Sequence, residues 1–423
     1  MKKICIPRNV EWILDELEKN GYEAYAVGGC VRDSLLGREP KDWDVTTSAR
    51  PQDVKRIFRN TYDTGIEHGT VSVRIGTEIF EVTTFRVDGD YSDHRRPDSV
   101  EYTDKLAEDL KRRDFTMNAM AYHPRVGVVD LFGGQEDLKK GCIRCVGDPE
   151  ERFEEDALRM LRAYRFAARF GFFVEEETAR AVREKAPLLD NVSRERVREE
   201  MDRLVCAGHP GILRDICKSG LMSYILPEWT PCEGVPQNTP YHIYTVDEHL
   251  IRTVEASQPI RVVRWAALLH DIAKPCCRHT DASGRDHFYG HPEQSAKMAD
   301  EILRRLKFDN ATREAVVWCI RLHDENPPKD LRETRHLLSR IPDGFYPYLQ
   351  ALQYADAAAQ NPARRAGRVV HGGARGYRRK GDRRAHARRN GEKTRGPGRR
   401  FYRSQPSGRY ETAGAGLRYS QGN

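Results

Sequence analysis

The N-terminal fold is set by two short segments, VGGCVRD at residues 27–33 and KDWDVTT at residues 41–47. The pattern predicts a strand, a glycine turn, a short helix and a second strand. Alternate residues of a strand point to the same face, so Asp42 and Asp44 are expected to project together. Two neighbouring carboxylates repel each other unless a cation lies between them. Oxygen ligands of this kind suit Mg²⁺, which also takes waters and phosphates.

The glycine turn adds groups that can bind phosphate. Gly28 and Gly29 let a phosphate approach the backbone N–H groups at a helix start, and Arg32 supplies a guanidinium fork. A lone Gly-Gly is usually an ordinary turn, and a lone Asp-x-Asp is usually a solvated strand end. Their combination within about twenty residues favours nucleotidyl transfer from a nucleoside triphosphate.

A family resemblance starts at the same segment. GGCVRDSLLGREPKDWDVTTSA at residues 28–49 resembles the signature of the class II tRNA nucleotidyltransferases and poly(A) polymerases. RRDFTMN at residues 112–118 resembles a further block of that family, in which Arg113 is implied to contact the nucleotide. The resemblance covers about residues 20–360 and implies a polymerase-β-like nucleotidyltransferase head, whereas periodicity alone predicts only an α/β fold.

Further strands of the head are predicted by alternating apolar residues. Thr70–Ile75 and Glu78–Phe85 form a predicted hairpin across Gly76-Thr77. The second strand carries Glu81, either as a third metal-facing acid or as an exposed edge carboxylate. The polar loop around Asp90–Pro97 is implied by the resemblance to help the switch from C to A addition, and its presence favours full CCA addition.

A helical segment follows the head. Glu150–Phe170 is predicted as one helix, on which Asp156, Arg159, Arg162 and Arg165 recur every third residue. A stripe at this spacing drifts slowly around a helix, so the four residues are expected to line a shallow curved groove. An arginine donor beside an aspartate acceptor matches the base edges of C and A, whereas U and G carry a ring N–H at the mismatched position. The alternative is a salt-bridged surface helix. The resemblance of EDALRMLRAYRF to the family's nucleobase-recognition block favours base recognition, with Arg162 and Arg165 in support or touching phosphate.

A second constellation of histidines and aspartates lies between residues 240 and 360. Its order resembles that of the HD superfamily of metal-dependent phosphohydrolases, and helical ligands of these types can converge on one or two divalent metal ions. Catalysis of its own and a scaffold role for the tRNA body both remain open. The residues are His249, His270, Asp271, His291, His323 and Asp356.

Charge is distributed unevenly along the chain. The net charge is +7, yet residues 361–423 hold 18 Lys and Arg against 3 Asp and Glu. The preceding residues therefore hold 53 Lys and Arg against 61 Asp and Glu and are acidic on balance. The Arg/Gly-rich tail over residues 362–423 has little aliphatic content, and its composition predicts disorder. It is either a basic RNA-binding arm or the out-of-frame product of a reading-frame shift near residue 362.

Composition bounds the remaining properties. The sequence contains no apolar run of about 18 residues and no signal-peptide pattern, which predicts a cytoplasmic protein without membrane contact. Ten cysteines scattered along the chain predict reduced thiols. The predicted division is a head at residues 1–140, a helical neck and body at 141–235, an α-helical HD domain at 236–361 and the tail. The sequence does not predict the oligomeric state.

The resemblance implies template-independent CCA addition to tRNA from CTP and ATP, with Mg²⁺ as cofactor and a second divalent metal in the HD domain. Three alternatives stay open at this point. The chain is a poly(A) polymerase or an enzyme adding only C or only A; it is an HD-type phosphohydrolase acting on nucleotides; or it is an RNA-binding protein without catalysis.

Overall fold

The computed structural model describes residues 4–89, 100–326 and 330–360. The predictions for the loop Asp90–Pro97 and for the tail at 362–423 lie outside these residues. Within them, the predicted order of an α/β head, a helical body and a helical HD domain is confirmed.

The head is built on a seven-stranded mixed sheet in the order β3-β4-β5-β2-β1-β8-β9, beside a separate β6-β7 pair. Its strands are β1 (Ala24–Val27), β2 (Asp44–Thr47), β3 (Thr61–Gly65), β4 (Thr70–Ile75), β5 (Glu78–Thr84), β6 (Arg86–Asp88), β7 (Val100–Tyr102), β8 (Met120–His123) and β9 (Gly127–Asp130). The predicted hairpin of β4 and β5 is confirmed, because Val71 pairs with Val82 and Ile75 with Glu78.

Five α-helices accompany this sheet among the described residues, and the first shows why such helices pack on it. Its apolar residues Val10, Ile13, Leu14 and Leu17 recur at helical spacing, and all four are buried. The helices are α1 (Arg8–Lys19), α2 (Gly29–Leu35), α3 (Pro51–Ile57), α4 (Leu106–Lys111) and α5 (Gly134–Lys140).

The body is helical, with a parallel pair of two-residue strands, β10 (Cys142–Ile143) and β11 (Phe173–Val174). Its helices are α6 (Pro149–Glu155), α7 (Leu158–Phe170), α8 (Glu176–Lys185), α9 (Arg194–Val205), α10 (Leu213–Lys218) and α11 (Leu221–Ile225). The prediction of one helix over Glu150–Phe170 is wrong, because the chain breaks at Asp156, whose φ of −143° and ψ of 101° are extended. Aspartate often caps helices, and here Asp156 Oδ1 accepts a hydrogen bond from the Leu158 N–H at 3.1 Å.

The HD domain is a bundle with one small hairpin, β12 (Arg278–Thr280) and β13 (Asp286–Phe288). None of the helices in the described residues is long and apolar enough to cross a membrane. The helices of the bundle are α12 (Val246–Ala256), α13 (Arg261–Leu269), α14 (Lys274–Cys277), α15 (His291–Arg305), α16 (Asn310–Leu322), α17 (Leu331–Arg340) and α18 (Tyr346–Ala359).

Candidate functional site

The predicted metal-binding acids of the head gather where β2 begins. Asp44 is the first residue of β2, and the parallel pairing of Val45 with Val82 sets Glu81 on β5 beside it. Residues aligned on neighbouring strands point to the same face, and both acids are exposed. Asp42 lies two residues earlier, just before the strand, and is also exposed.

The charges of these acids interact. Although the Asp44 side chain contacts solvent, the protein around its carboxylate removes part of the hydration and raises its pKa. The carboxylates of Glu81 and Asp42 raise this pKa further, and the Arg113 guanidinium opposes them. A divalent cation between the acids would relieve this repulsion. The oxygen-only donor set therefore fits a hard divalent cation.

The turn after β1 requires glycine at residue 28. Gly28 has a φ of 78°, and a Cβ atom there would lie 3.0 Å from Arg113 Nη1. Its N–H donates to the carbonyl of Met120 at 3.0 Å. The Arg113 guanidinium therefore passes directly over the turn, and Gly29 begins α2 next to it. Three of the predicted nucleotide-binding residues thus adjoin each other.

Arg32 is placed differently from its predicted partners. It is only 4% exposed, and burial lowers its pKa. Its Nε donates to Asp33 at 2.8 Å, its Nη1 donates to Asn118, and its guanidinium lies over the rings of Phe166 and Phe170. In this arrangement Arg32 joins the glycine turn to helix α7. A direct phosphate contact by Arg32 stays a prediction.

Asp109 on α4 orients the two arginines that precede the Asp-Phe-Thr segment. It is fully buried and accepts hydrogen bonds from Arg112 Nη2 at 2.8 Å and from Arg113 Nη2 at 3.2 Å. The hydroxyl of Thr46 on β2 donates to the same carboxylate at 3.2 Å. Burial alone would raise the pKa of Asp109, but the two guanidinium groups hold it below its ordinary value. Asp109 therefore fixes Arg113 relative to the strand that carries Asp44.

Arg159, at the start of α7, reaches back to the head. Its Nη2 donates to the backbone carbonyl of Arg112 at 3.3 Å, and its Nη1 donates to the Arg152 carbonyl at 3.1 Å and to the Glu155 carboxylate. Asp156 precedes it at the break between the helices. The two predicted base-recognition residues are thus neighbours, and one of them contacts the segment that also carries Arg113.

The other two predicted arginines bind carboxylates on different elements. Arg162 Nε donates to Asp114 of the head at 3.0 Å. Burial would raise the pKa of Asp114, but Arg162, with help from the Asn118 hydrogen bond and the Arg159 charge, lowers it to about 2. Arg165 is 7% exposed and pairs with Glu200 on α9. The four residues therefore differ in their partners, whereas the prediction placed them along one shallow curved groove. The break at Asp156 displaces the first, and Arg162 and Arg165 point to separate partners.

Sequence analysis missed several residues that position this site. Asp114 lies within RRDFTMN, the segment already recognised as a family block, and Asp109 lies three residues before that segment, so the proximity of both acids to Arg112 and Arg113 was available as a signal. Arg196 on α9 donates to Asp156 Oδ2 at 2.9 Å across 40 residues of sequence, and no local pattern could have indicated this contact.

The HD residues converge around one carboxylate. Oδ2 of Asp271 lies 3.2 Å from His270 Nε2 and 3.4 Å from His249 Nε2. Its Oδ1 lies 3.2 Å from His291 Nε2 and 3.5 Å from His323 Nε2. The four imidazoles come from different elements of the bundle, and Asp271 is almost completely buried.

The remaining predicted residue and the backbone complete this arrangement. Asp356 Oδ1 on α18 lies 3.0 Å from His249 Nε2. The Nδ1 atoms of His270, His291 and His323 each lie 2.6–2.9 Å from a carbonyl three residues earlier, and a carbonyl can only accept. Those imidazoles therefore direct Nε2 lone pairs at carboxylate oxygens when they are neutral. A metal ion between them fits this donor set.

Two further residues at this centre were missed by sequence analysis. Lys274 Nζ lies 2.6 Å from Asp271 Oδ2 and 3.3 Å from His242 Nε2. His242, His249 and Asp271 offer ligand atoms within 4.8 Å of one another. Burial and the neighbouring Lys274 ammonium lower the pKa of His242 to about 3. His242 is therefore a neutral donor at the rim of the predicted HD site.

Comparisons with known proteins match three successive segments of the chain. Three family models match: the poly(A) polymerase head domain at residues 24–144, a probable RNA- and SrmB-binding site of polymerase A at 171–233, and the HD domain at 242–359. These matches confirm the resemblance noted in the sequence. They also support divalent-metal chemistry without identifying the ion.

The individual relatives and the solved structure described next are all CCA-adding enzymes. The chain is 49% identical over 213 residues to a CCA-adding enzyme of Limosilactobacillus reuteri, covering 50% of this chain and 53% of that protein. It is 53% identical over 197 residues to one of Lactobacillus helveticus, covering 47% and 49%. The chain thus spans about half the length of the curated relatives it matches. A crystal structure of the Bacillus stearothermophilus CCA-adding enzyme in complex with CTP is 33% identical and covers 82% of this chain and 81% of that one, with a TM-score of 0.61.

Proposed function

The chain belongs to the family of the CCA-adding enzymes, and we propose that it adds C, C and A to the 3′ end of tRNA from CTP and ATP, releasing pyrophosphate. One observation carries the proposal. The segment of residues 109–114 joins the two halves of the site: Arg113 lies over the Gly28 turn beside Asp44, and the Arg112 carbonyl accepts from Arg159. Cation-binding acids and base-recognition residues therefore border the same segment.

The acids would hold Mg²⁺. Asp42 and Asp44 are the ligands we propose, with Glu81 as a third carboxylate at the same edge. Bound there, the ion would activate the tRNA 3′-hydroxyl and neutralise the charge on the pyrophosphate leaving group.

The triphosphate would lie against the glycine turn. Gly28 and Gly29 leave room for it beside the backbone, and Arg113 supplies a guanidinium that Asp109 already orients. Arg32 is proposed to hold the turn against α7, where it contacts Asn118 and two phenylalanine rings.

Asp156 and Arg159 would recognise the base. A carboxylate accepts from the N4 amine of C or the N6 amine of A, and a guanidinium donates to the ring acceptor beside it. U and G present a carbonyl and a ring N–H instead, and each would leave a polar group unpaired. Arg162 and Arg165 are proposed to support the helix through Asp114 and Glu200.

The direct test is nucleotide incorporation into tRNA that lacks CCA, with each labelled NTP alone and with CTP and ATP together. Full CCA addition is expected with the pair. Poly(A) tails from ATP alone, or C-only or A-only products, would identify the alternative activities. Changing Asp42→Ala together with Asp44→Ala should abolish incorporation and leave the circular dichroism spectrum unchanged. Retained turnover by this double variant would refute the assignment of the metal-binding pair.

A second candidate function concerns the HD domain. Six predicted ligands converge there, and four imidazole Nε2 atoms lie 3.2–3.5 Å from the Asp271 carboxylate. That arrangement supports a metal-dependent phosphohydrolase centre, in which these histidines and aspartates would hold a divalent metal whose charge would make water a stronger nucleophile towards a phosphate ester. We also propose domain boundaries near residues 140, 235 and 361, and a cytoplasmic location for the protein.

A further inference from the structure

Asp156, the residue proposed to accept the base amine, is held by two hydrogen bonds of different origin. Its Oδ1 accepts from the Leu158 N–H at 3.1 Å, which is a local contact across the helix break. Its Oδ2 accepts from Arg196 Nη2 of α9 at 2.9 Å. The two side chains are 16% and 21% exposed, so the pair is largely shielded from water.

The backbone around Asp156 does not fix this side chain by itself. Asp156 ends α6 in an extended conformation and lies outside both neighbouring helices. With Oδ1 bound to Leu158, rotation of the carboxylate would still carry Oδ2 away from an incoming base. Arg196 is the contact that opposes this rotation, and it belongs to a helix that packs along α7 through the buried Arg165–Glu200 pair.

Arg196 is committed to this one carboxylate within the described part of the chain. Its Nη1 is buried and has no hydrogen-bond partner among the described residues. Other arginines of α9 contact different groups: Arg194 donates to the Tyr224 carbonyl at 3.0 Å and to Asp190 at 3.2 Å. Because a buried donor left unpaired is costly, Nη1 does not account for the placement of Arg196, and the bond from Nη2 to Asp156 is the contact that does.

We propose that Arg196 is a specificity-determining positioning residue, which holds the Asp156 carboxylate so that a free lone pair faces the amine of C or A. The inference rests on the proposed function and assigns the control of base choice to α9. The alternative interpretation of RERVREEMDRL at residues 194–204 is a charged amphipathic helix that serves packing alone. Arg196 acts through Asp156 and need not touch the nucleotide.

The proposal makes base discrimination, rather than the overall rate, the diagnostic quantity. A carboxylate free to rotate meets the amine of C less often and no longer opposes the carbonyl of U in a fixed place. Loss of a charge-assisted hydrogen bond corresponds to roughly a tenfold to hundredfold change in kcat/KM. We expect Arg196→Ala to lower kcat/KM for CTP by that factor and to raise the UTP-to-CTP incorporation ratio at least about tenfold.

The experiment uses the full chain and primer tRNA lacking CCA, with CTP, UTP, ATP and GTP supplied singly. Arg194→Ala is the matched control, since it removes an arginine from the same helix without touching Asp156, and it should keep the wild-type ratio. Arg196→Lys retains the charge without the guanidinium fork and should give an intermediate UTP-to-CTP ratio. This variant also tests the proposal if Arg196→Ala does not fold. The double variant Arg196→Ala with Asp156→Ala should discriminate no worse than Asp156→Ala alone.

The outcomes separate the two proposals. If the wild-type chain adds no nucleotide, the proposed function and this inference fail together. If it adds C and A but the folded Arg196 variants keep the wild-type UTP-to-CTP ratio, or if the two substitutions act additively on it, the inference about Arg196 fails alone.

Discussion

Asp114 offers a quantitative test of the junction between the head and helix α7. Its carboxylate accepts from the Phe115 N–H at 2.8 Å, from Asn118 at 2.9 Å and from Arg162 Nε at 3.0 Å. Asp114→Asn keeps the shape and one acceptor, but it sets an amide donor against the Arg162 donors. The pKa of Asp114 lies at about 2 instead of 3.8, and at 1.36 kcal/mol per pKa unit this shift corresponds to about 2 kcal/mol.

A larger loss, on the order of 3–5 kcal/mol, is typical when one partner of a buried ion pair is removed. We expect the smaller value because Arg162 is one-third exposed and water can solvate it after the change. The melting temperature of Asp114→Asn should therefore fall by roughly 4 °C. Glu176→Gln is the matched control, since its pair with Arg183 is exposed and its loss should cost no more than about 0.5 kcal/mol.

The dependence on pH supplies the refuting result. A carboxyl whose pKa is depressed in the folded state stabilises the fold above its ordinary pKa of 3.8, and this contribution is lost as the pH falls towards about 2. The stability difference between wild type and Asp114→Asn should thus be constant from about pH 5 to 7 and shrink below about pH 4. An Asn variant as stable as wild type at pH 7, or a difference unchanged by acid, would show that the Asp114 charge does not support this junction.

Two further predictions concern the glycine turn and the HD centre. Gly28→Ala and Gly37→Ala both force a side chain into a positive φ and should each cost about 1 kcal/mol in thermal unfolding, but only at Gly28 does the new Cβ approach Arg113, so only that variant should lose nucleotide incorporation. Equal activity of the two variants would contradict the proposed role of the turn. His270→Ala and Asp271→Asn should each retain less Mn²⁺ per chain than wild type in equilibrium dialysis and still add CCA to tRNA. Unchanged Mn²⁺ binding, or lost addition in a folded variant, would contradict the assignment of a separate metal centre.

Local periodicity predicted part of the head well. The hairpin of β4 and β5 was identified because apolar residues alternate on either side of Gly76-Thr77. Strands β3 and β8 are among those that were missed, and the reasons for these two are opposite. Strand β3 (Thr61–Gly65) lies at the sheet edge with largely exposed residues, and strand β8 (Met120–His123) is buried at every position between β1 and β9, so neither alternates.

The candidate site was predictable in its residue types and less so in its contacts. The acids and the HD residues were identified from spacing and family resemblance, and the structure brings each set together. The partners of the arginines were not predictable, because Arg162 and Asp114 are 48 residues apart and no local rule links them. The break at Asp156 was missed because its flanking apolar residues continue a helical pattern, whereas a capping aspartate marks the start of a new helix.

The parallel pairing of β2 with β5 restricts where residues can be inserted into the head during evolution. Asp44 and Glu81 stand side by side only because Val45 is aligned with Val82. Residues can be added to the connection between these strands without separating the two acids. One residue added within β5 ahead of Glu81 would slip the alignment and turn that acid towards the interior, since side chains alternate between the faces of a strand. The spacing of the acids therefore tolerates longer loops but constrains the length of the strands themselves.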